Sequence, residues 1–205
     1  MVVESTRIAR NPVQKLSTLK ADQYKALIIP GGYGVAKSLS NYGDNSNNYE
    51  VNKEVERVIK EFHSARKPIG AICIAPVLTA RVLGTKNGGP GVSVTLGNND
   101  KQAEQAVEAV GSTHVAKDVS EVHVDSANRI VSTPAYQAKS PQPHQVYEGI
   151  GKLVEEVLRL AESGGSGGGS GARGGDLNLG PFEKIGKKFY GEKWDDMKKQ
   201  LQTTN

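Results

Sequence analysis

The chain's one cysteine, Cys73, stands in the run Gly70-Ala71-Ile72-Cys73-Ile74-Ala75-Pro76, where an apolar strand is expected to turn sharply into a helix. Such a turn lifts the thiol above the carboxyl end of the strand. The free N–H groups and positive dipole end of the following helix then point at the sulfur. Both effects favour thiolate, the nucleophilic form. Gly70, Ala71 and Ala75 are small enough for a tight bend, and the Ile74 amide faces any oxyanion formed beside the sulfur. A second turn, Pro30-Gly31-Gly32-Tyr33-Gly34, follows an earlier strand. In a parallel sheet both strand ends share one edge, so the Gly31 and Gly32 amides are expected to meet the cysteine turn. A thiolate between backbone N–H donors is a site for carbonyl or acyl compounds. The competing reading is plain: a lone cysteine after an apolar strand is also an ordinary small buried hydrophobe.

Positioning these turns requires alternating strands and helices. Residues 24–29 form a short apolar run ended by Pro30-Gly31-Gly32, a buried strand. Val51, Val55, Val58, Ile59 and Phe62 recur at helical spacing. A strand is expected over 69–72, a helix over 75–83, a strand over 91–96 and a helix over 103–110. Short strands over 122–124 and 129–132 flank a hairpin turn, Asp125-Ser126-Ala127-Asn128. A last helix is expected over 145–160, with Ile150, Leu153, Val154, Val157 and Leu158 on one face. The alternation predicts an α/β fold with a parallel sheet covered on both sides. The segment 5–19 shows no strand pattern, and only two strands read as strongly central, so the sheet is expected to be narrow.

The sequence has 205 residues, of which 37% are hydrophobic and 23% charged, enough for one α/β core with a remainder. A net charge of +4 without a clustered basic patch gives no indication of nucleic-acid binding. No apolar run is long enough to span a bilayer, and the first residues lack the apolar core of a secretory signal. One cysteine cannot form an internal disulfide, which suits a soluble protein of a reducing compartment. The run SGGSGGGSGARGG at 163–175 reads as a flexible linker. It separates an α/β domain over 1–162 from a tail over 176–205.

The histidines do not form a metal site. His63 and His114 read as surface and structural residues, and His144 sits in a loop before the last helix. His123 alternates with Val122 and Val124 and is a candidate for the pocket wall, as are Thr133 and Tyr136 at the end of a strand. A hydrogen-bonded structural histidine, and turn and packing roles for the other two, are the competing readings.

The segments ALIIPGGYGVAKSLSNY, VNKEVERVIKEFHSARKPIGAICIAPVL, EVHVDSANRIVSTPAY and GIGKLVEEVLRL resemble the ElbB-type branch of the ThiJ/PfpI superfamily, over about residues 4–160. The resemblance implies a flavodoxin-like, class I glutamine amidotransferase-like sheet with helices on both faces. It implies Cys73 as the elbow nucleophile, with the amides of Gly31 or Gly32 and of Ile74 as oxyanion donors. It also implies a glyoxalase III-like lyase activity on small dicarbonyls without a cofactor or metal, a homodimer, and, as in animal relatives, a mitochondrial or other organellar location, with the cytoplasm as the alternative. Two departures stand out. Relatives carry a further amino-terminal section that supplies the first strands and an acidic residue beside the cysteine, so the expectation is an amino-terminally incomplete domain. True amidotransferases place histidine directly after the cysteine, where this chain has Ile74. Without that base, glutamine hydrolysis is not expected.

In the tail, Phe182, Ile185 and Phe189, then Trp194, Met197 and Leu201, repeat at helical spacing among lysines. An aromatic stripe on a segment too short for its own core calls for a protein partner. Folding back onto the domain is the simpler alternative. Two functions follow: a glyoxalase-like enzyme using Cys73, or a non-catalytic accessory subunit of a larger organellar assembly held by its tail.

Overall fold

The computed structural model describes residues 2–163 except Asn11 and Asn47. The tail residues Phe182 to Leu201 and all but the first residue of the linker lie outside the described residues. Helices are α1 (Val2–Ala9), α2 (Tyr33–Lys37), α3 (Lys53–Ser64), α4 (Pro76–Leu83), α5 (Lys101–Ala109) and α6 (Pro143–Ser163). Strands are β1 (Leu27–Ile29), β2 (Ile69–Ile72), β3 (Ser93–Val94), β4 (Thr113–His114), β5 (His123–Asp125) and β6 (Ile130–Thr133).

The main sheet has the order β1-β2-β6-β5. The first three strands run parallel, and β5 pairs antiparallel with β6 through the predicted hairpin. Instead of a long strand over 91–96, only Ser93–Val94 pairs, in a separate parallel ladder with β4. Gly91 and Gly97, with φ of 76° and 94°, bend the chain away on either side of it.

Side chains alternate across the sheet as the two-residue period demands. Ile69, Ala71 and Ile130 join the larger core with Val58, Ile59 and Phe62 of α3 and Leu78 of α4. Ile72 and Val131 face the other way, against Leu153 and Val157 of α6. Gly70 faces α6 with almost no room: a Cβ there would lie 2.9 Å from Leu153 Cδ2 and 3.0 Å from Val157 Cγ2. The helices are started by side-chain caps where the sequence offers them. Asn52 accepts from the Glu54 amide, and Asp100 accepts from the amides of Gln102 and Ala103.

Among the described residues no strand pairs with the outer edge of β1, and Ile28 on that strand is 37% exposed. The narrow sheet expected from the sequence is thus present, with β1 at its open edge. The segment without strand character begins as helix α1, an exposed helix whose Arg7 pairs with Glu4. No helix among the described residues is long and apolar enough to cross a membrane.

Candidate functional site at the Cys73 turn

Strand β2 carries the chain into the cysteine. Parallel pairing with β6 continues past its last residue, because the Cys73 N–H donates to the Thr133 carbonyl at 3.0 Å. There the backbone turns. Cys73 has φ of 62°, a left-handed conformation that a non-glycine residue adopts at a cost on the order of 1 kcal/mol. The bend is closed by the Ala75 N–H on the Ile72 carbonyl. Helix α4 then starts with Pro76, which fits the first helical position because its missing N–H would have had no partner. The thiol is half-buried.

Strand β1 delivers the glycine turn to the same edge. Gly31 approaches Cys73 so closely that an added Cβ would lie 2.5 Å from the Cys73 Cβ, 2.7 Å from the Ile72 carbonyl oxygen and 3.3 Å from Sγ. Only a residue without a side chain fits here. Gly32 has φ of 107° and opens α2, accepting from the Val35 amide. The amides of Gly31, Gly32 and Ile74 make no backbone hydrogen bond among the described residues. The structure therefore brings together Cys73, Gly31 and the turn carrying Ile74.

None of the remaining candidates has a side chain that hydrogen-bonds the thiol. Thr133 is fully buried, and its hydroxyl donates to the Glu121 carbonyl at 2.9 Å. Its side chain lies on the α6 side of the sheet and has no exposed surface to offer a pocket. Tyr136 is 61% exposed, in a single 3-10 turn over Ala135–Gln137. His123 is on β5, one strand beyond β6, with Nε2 2.7 Å from Ser93 Oγ. Burial holds its imidazole below the usual histidine range, against the pull of Asp125. It ties β5 to β3, the hydrogen-bonded structural role that the sequence left open. His114 is likewise structural, with Nε2 accepting from the Leu96 amide. His63 reaches Asn128 Oδ1 at 3.3 Å.

One residue at the site escaped the sequence reading. Gln137 Nε2 lies 3.8 Å from Cys73 Sγ and donates to it. It lies three residues beyond Pro134, at the end of the turn that follows β6, and its position beside Tyr136 was the available signal. Among the described residues no group of histidine, cysteine or carboxylate side chains could hold a metal ion. Chemically, then, the site offers a sulfur nucleophile, a neutral amide donor and backbone N–H groups.

A family model described as DJ-1/PfpI matches residues 2–133. The chain is 44% identical over 168 residues to the ES1 protein homolog, mitochondrial, of Rattus norvegicus, covering 78% of this chain and 60% of that protein. It is equally similar, at 44% identity and the same coverage, to the glutamine amidotransferase-like class 1 domain-containing protein 3, mitochondrial, of Homo sapiens. The chain thus spans about 60% of the length of these curated relatives. Among solved structures it is similar to an isoprenoid biosynthesis protein with amidotransferase-like domain from Ehrlichia chaffeensis. That match has a TM-score of 0.68 and 33% identity, and covers 78% of this chain and 70% of the other. The mostly parallel sheet with helices on both faces is accordingly the flavodoxin-like, class I glutamine amidotransferase-like fold.

Proposed function

The chain belongs to the DJ-1/PfpI family, and from that premise we propose that it converts small reactive dicarbonyls in a glyoxalase-like reaction with Cys73 as the nucleophile. The observation that carries the reading is the Cys73 turn itself: a left-handed, half-buried thiol with uncommitted backbone amides nearby. Strain held at such a turn is a sign of use.

In the first step Sγ adds to the aldehyde carbon. A C–S bond forms, and the carbonyl π pair moves onto oxygen as an alkoxide. The amides of Ile74 and of Gly31 or Gly32 hold that charge, and water supplies the proton. The former aldehyde hydrogen then leaves as a proton and one returns to the neighbouring carbon. The first carbon is oxidised to a thioester while the second is reduced to an alcohol. Water cleaves the thioester, freeing Cys73 and a 2-hydroxy acid. Gln137 does not titrate, so it orients Sγ, and solvent carries the protons. The names of the animal relatives support a mitochondrial site of action. A homodimer, or a place in a larger complex, is the assembly we propose.

The test is turnover of methylglyoxal by the full chain, read as lactate formed. Production of lactate that is lost in Cys73→Ser supports the reading. No lactate, together with Cys73 alkylation no faster than that of a free thiol, overturns it.

A second reading has its own support. Among the described residues the one side chain that hydrogen-bonds Sγ is a neutral amide, and efficient proton transfer normally uses a titratable side chain. A non-catalytic accessory subunit, tethered through residues 176–205, needs no such group. Deleting 176–205 and following migration in a high-mass complex tests it: unchanged migration removes the tether.

A further inference from the structure

At the opposite end of the sheet, the amino ends of the three parallel strands border a cleft of about 720 Å³. Lys25 precedes β1, Lys67 precedes β2 and Arg129 precedes β6; Arg66 just beyond α3, Glu162 of α6 and Asp22 also line it. At about 3.3 Å per residue, the five steps from Pro68 to Cys73 place this cleft roughly 16 Å from the thiol.

Its cations are unbalanced. Among the described residues neither Arg66 nor Arg129 forms an ion pair with a carboxylate, although Asp22 and Glu162 line the same cleft. Each guanidinium spends a donor on a backbone carbonyl instead: Arg66 Nη1 on Ala127 at 2.7 Å, and Arg129 Nη2 on Leu160. Among the described residues Arg129 Nε is buried with no hydrogen-bond partner, a costly state for a polar group. Burial, and then the like charges of Arg66 and Arg159, disfavour the charged form of Arg129. By contrast Lys67 is satisfied, donating to the carbonyls of Ala21 and Tyr24.

The backbone places both side chains at turns that close neighbouring elements. Arg66 and Arg129 have φ of 56° and 58°. Both are left-handed positions where glycine or asparagine would be unstrained. Capping of helix ends explains part of the arrangement, since Leu160 lies in the last turn of α6. It also accounts for the backbone of Arg66, which follows the α3 C-cap Ala65 and lets the Lys67 N–H reach the Phe62 carbonyl at 2.9 Å. It does not account for the Arg66 side chain, whose acceptor Ala127 is in the β5–β6 hairpin, nor for the unpartnered Arg129 Nε. Two arginines on separate turns thus line one cleft, and neither is paired with the Asp22 or Glu162 carboxylates that also line it.

We propose that this cleft binds the phosphate group of a small phosphorylated metabolite, held by the Arg66 and Arg129 guanidinium groups. Two fixed positive charges match a dianion, and the guanidinium fork matches phosphate oxygens. The volume is in the range for a small organic molecule rather than a bare ion. The site is separate from Cys73, and its test does not depend on activity there.

The experiment is thermal unfolding and calorimetric titration of the full chain with inorganic phosphate and phenyl phosphate, against chloride and succinate at matched ionic strength. The expected result is saturable stabilisation by both phosphates, with a Tm rise of several degrees at saturation and phenyl phosphate the tighter of the two. Arg66→Asn, which suits the left-handed backbone, and Arg129→Gln are each expected to weaken binding at least tenfold. Normal unfolding of Arg66→Asn without phosphate shows that its loss of binding is not loss of fold. A response equalled by chloride, or unchanged in Arg66→Asn, overturns the site. Succinate binding as tightly as the phosphates overturns the assignment to phosphate.

Discussion

Gly31 and Cys73 are locked together: a Cβ on Gly31 would fall 2.5 Å from the Cys73 Cβ and 3.3 Å from its sulfur. Two strand ends are brought edge to edge here, and the contact leaves no space for any other residue type at position 31. Gly31→Ala must shift either the β1 turn or the Cys73 turn, since the obstacles include the Ile72 carbonyl and not only a movable side chain. We expect a stability loss of about 2 kcal/mol and a changed rate of Cys73 alkylation. Urea unfolding and iodoacetamide labelling check both; a variant equal to wild type in the two measurements would sink the contact.

Gln137 sets the surroundings of the sulfur through the donor contact from Nε2. Replacing that donor by a carboxylate puts negative charge beside the nucleophile and repels the thiolate. Gln137→Glu is expected to slow iodoacetamide labelling at neutral pH by roughly tenfold. Gln137→Met, close in shape but without the donor, should fall between the two. Labelling rates that do not order in this way show that Gln137 does not act on Sγ.

Much of this arrangement was legible in advance, for reasons that can be named. The runs of β1 and β2 end in glycine and proline turns, and the face of α3 repeats at helical spacing, so local pattern and tertiary role agree. The 91–96 segment alternates like a strand, yet only two of its residues pair, because bending at Gly91 and Gly97 is a property of backbone dihedrals that alternation does not register. His123 was ambiguous because period two says which face a residue takes but not what waits there; Ser93 was the answer. Gln137 was missed since a glutamine in a turn has no pattern of its own. The arginine cleft was invisible for a similar reason: Arg66 and Arg129 are far apart in sequence and meet only through the sheet.

Gly149 is a second point of close approach, between α6 and the chain leading to β5. A Cβ there would lie 2.5 Å from the Val119 carbonyl and 3.0 Å from Thr133 Oγ1. Alanine would gain about 1 kcal/mol of helix propensity. The clash is with backbone oxygen and opposes it with about 1–3 kcal/mol, so overlap wins. Gly149→Ala is expected to be destabilising overall, by up to about 2 kcal/mol. Because Val119 and Val146 form one cluster with Ile72 and Cys73, the same variant should also alter Cys73 labelling. A stabilised variant in urea unfolding would show that α6 has room to move.

The β3–β5 tie makes stability depend on pH. Burial holds the folded-state pKa of His123 below its ordinary value, with Lys117 and His114 adding to the effect and Asp125 opposing it. Between that lowered value and about 6.5 the unfolded chain binds more protons than the folded one, so stability falls as pH falls through this window. Asp125 adds a second acid-side loss. Burial alone would raise its pKa, but bonds from the Ser93 amide and from Asn128 outweigh burial and hold it below the usual aspartate range. Its contribution is complete above the unfolded value near 3.9 and disappears as pH drops below it. Urea midpoints measured from pH 7.5 to 5.0 should therefore decline in the wild type. His123→Gln, which keeps a polar partner for Ser93 without a titrating group, should decline less over that range. Below about pH 4, where Asp125 takes over, the two proteins should run parallel. Identical slopes between pH 7.5 and 5.0 would show that His123 is not the group responsible.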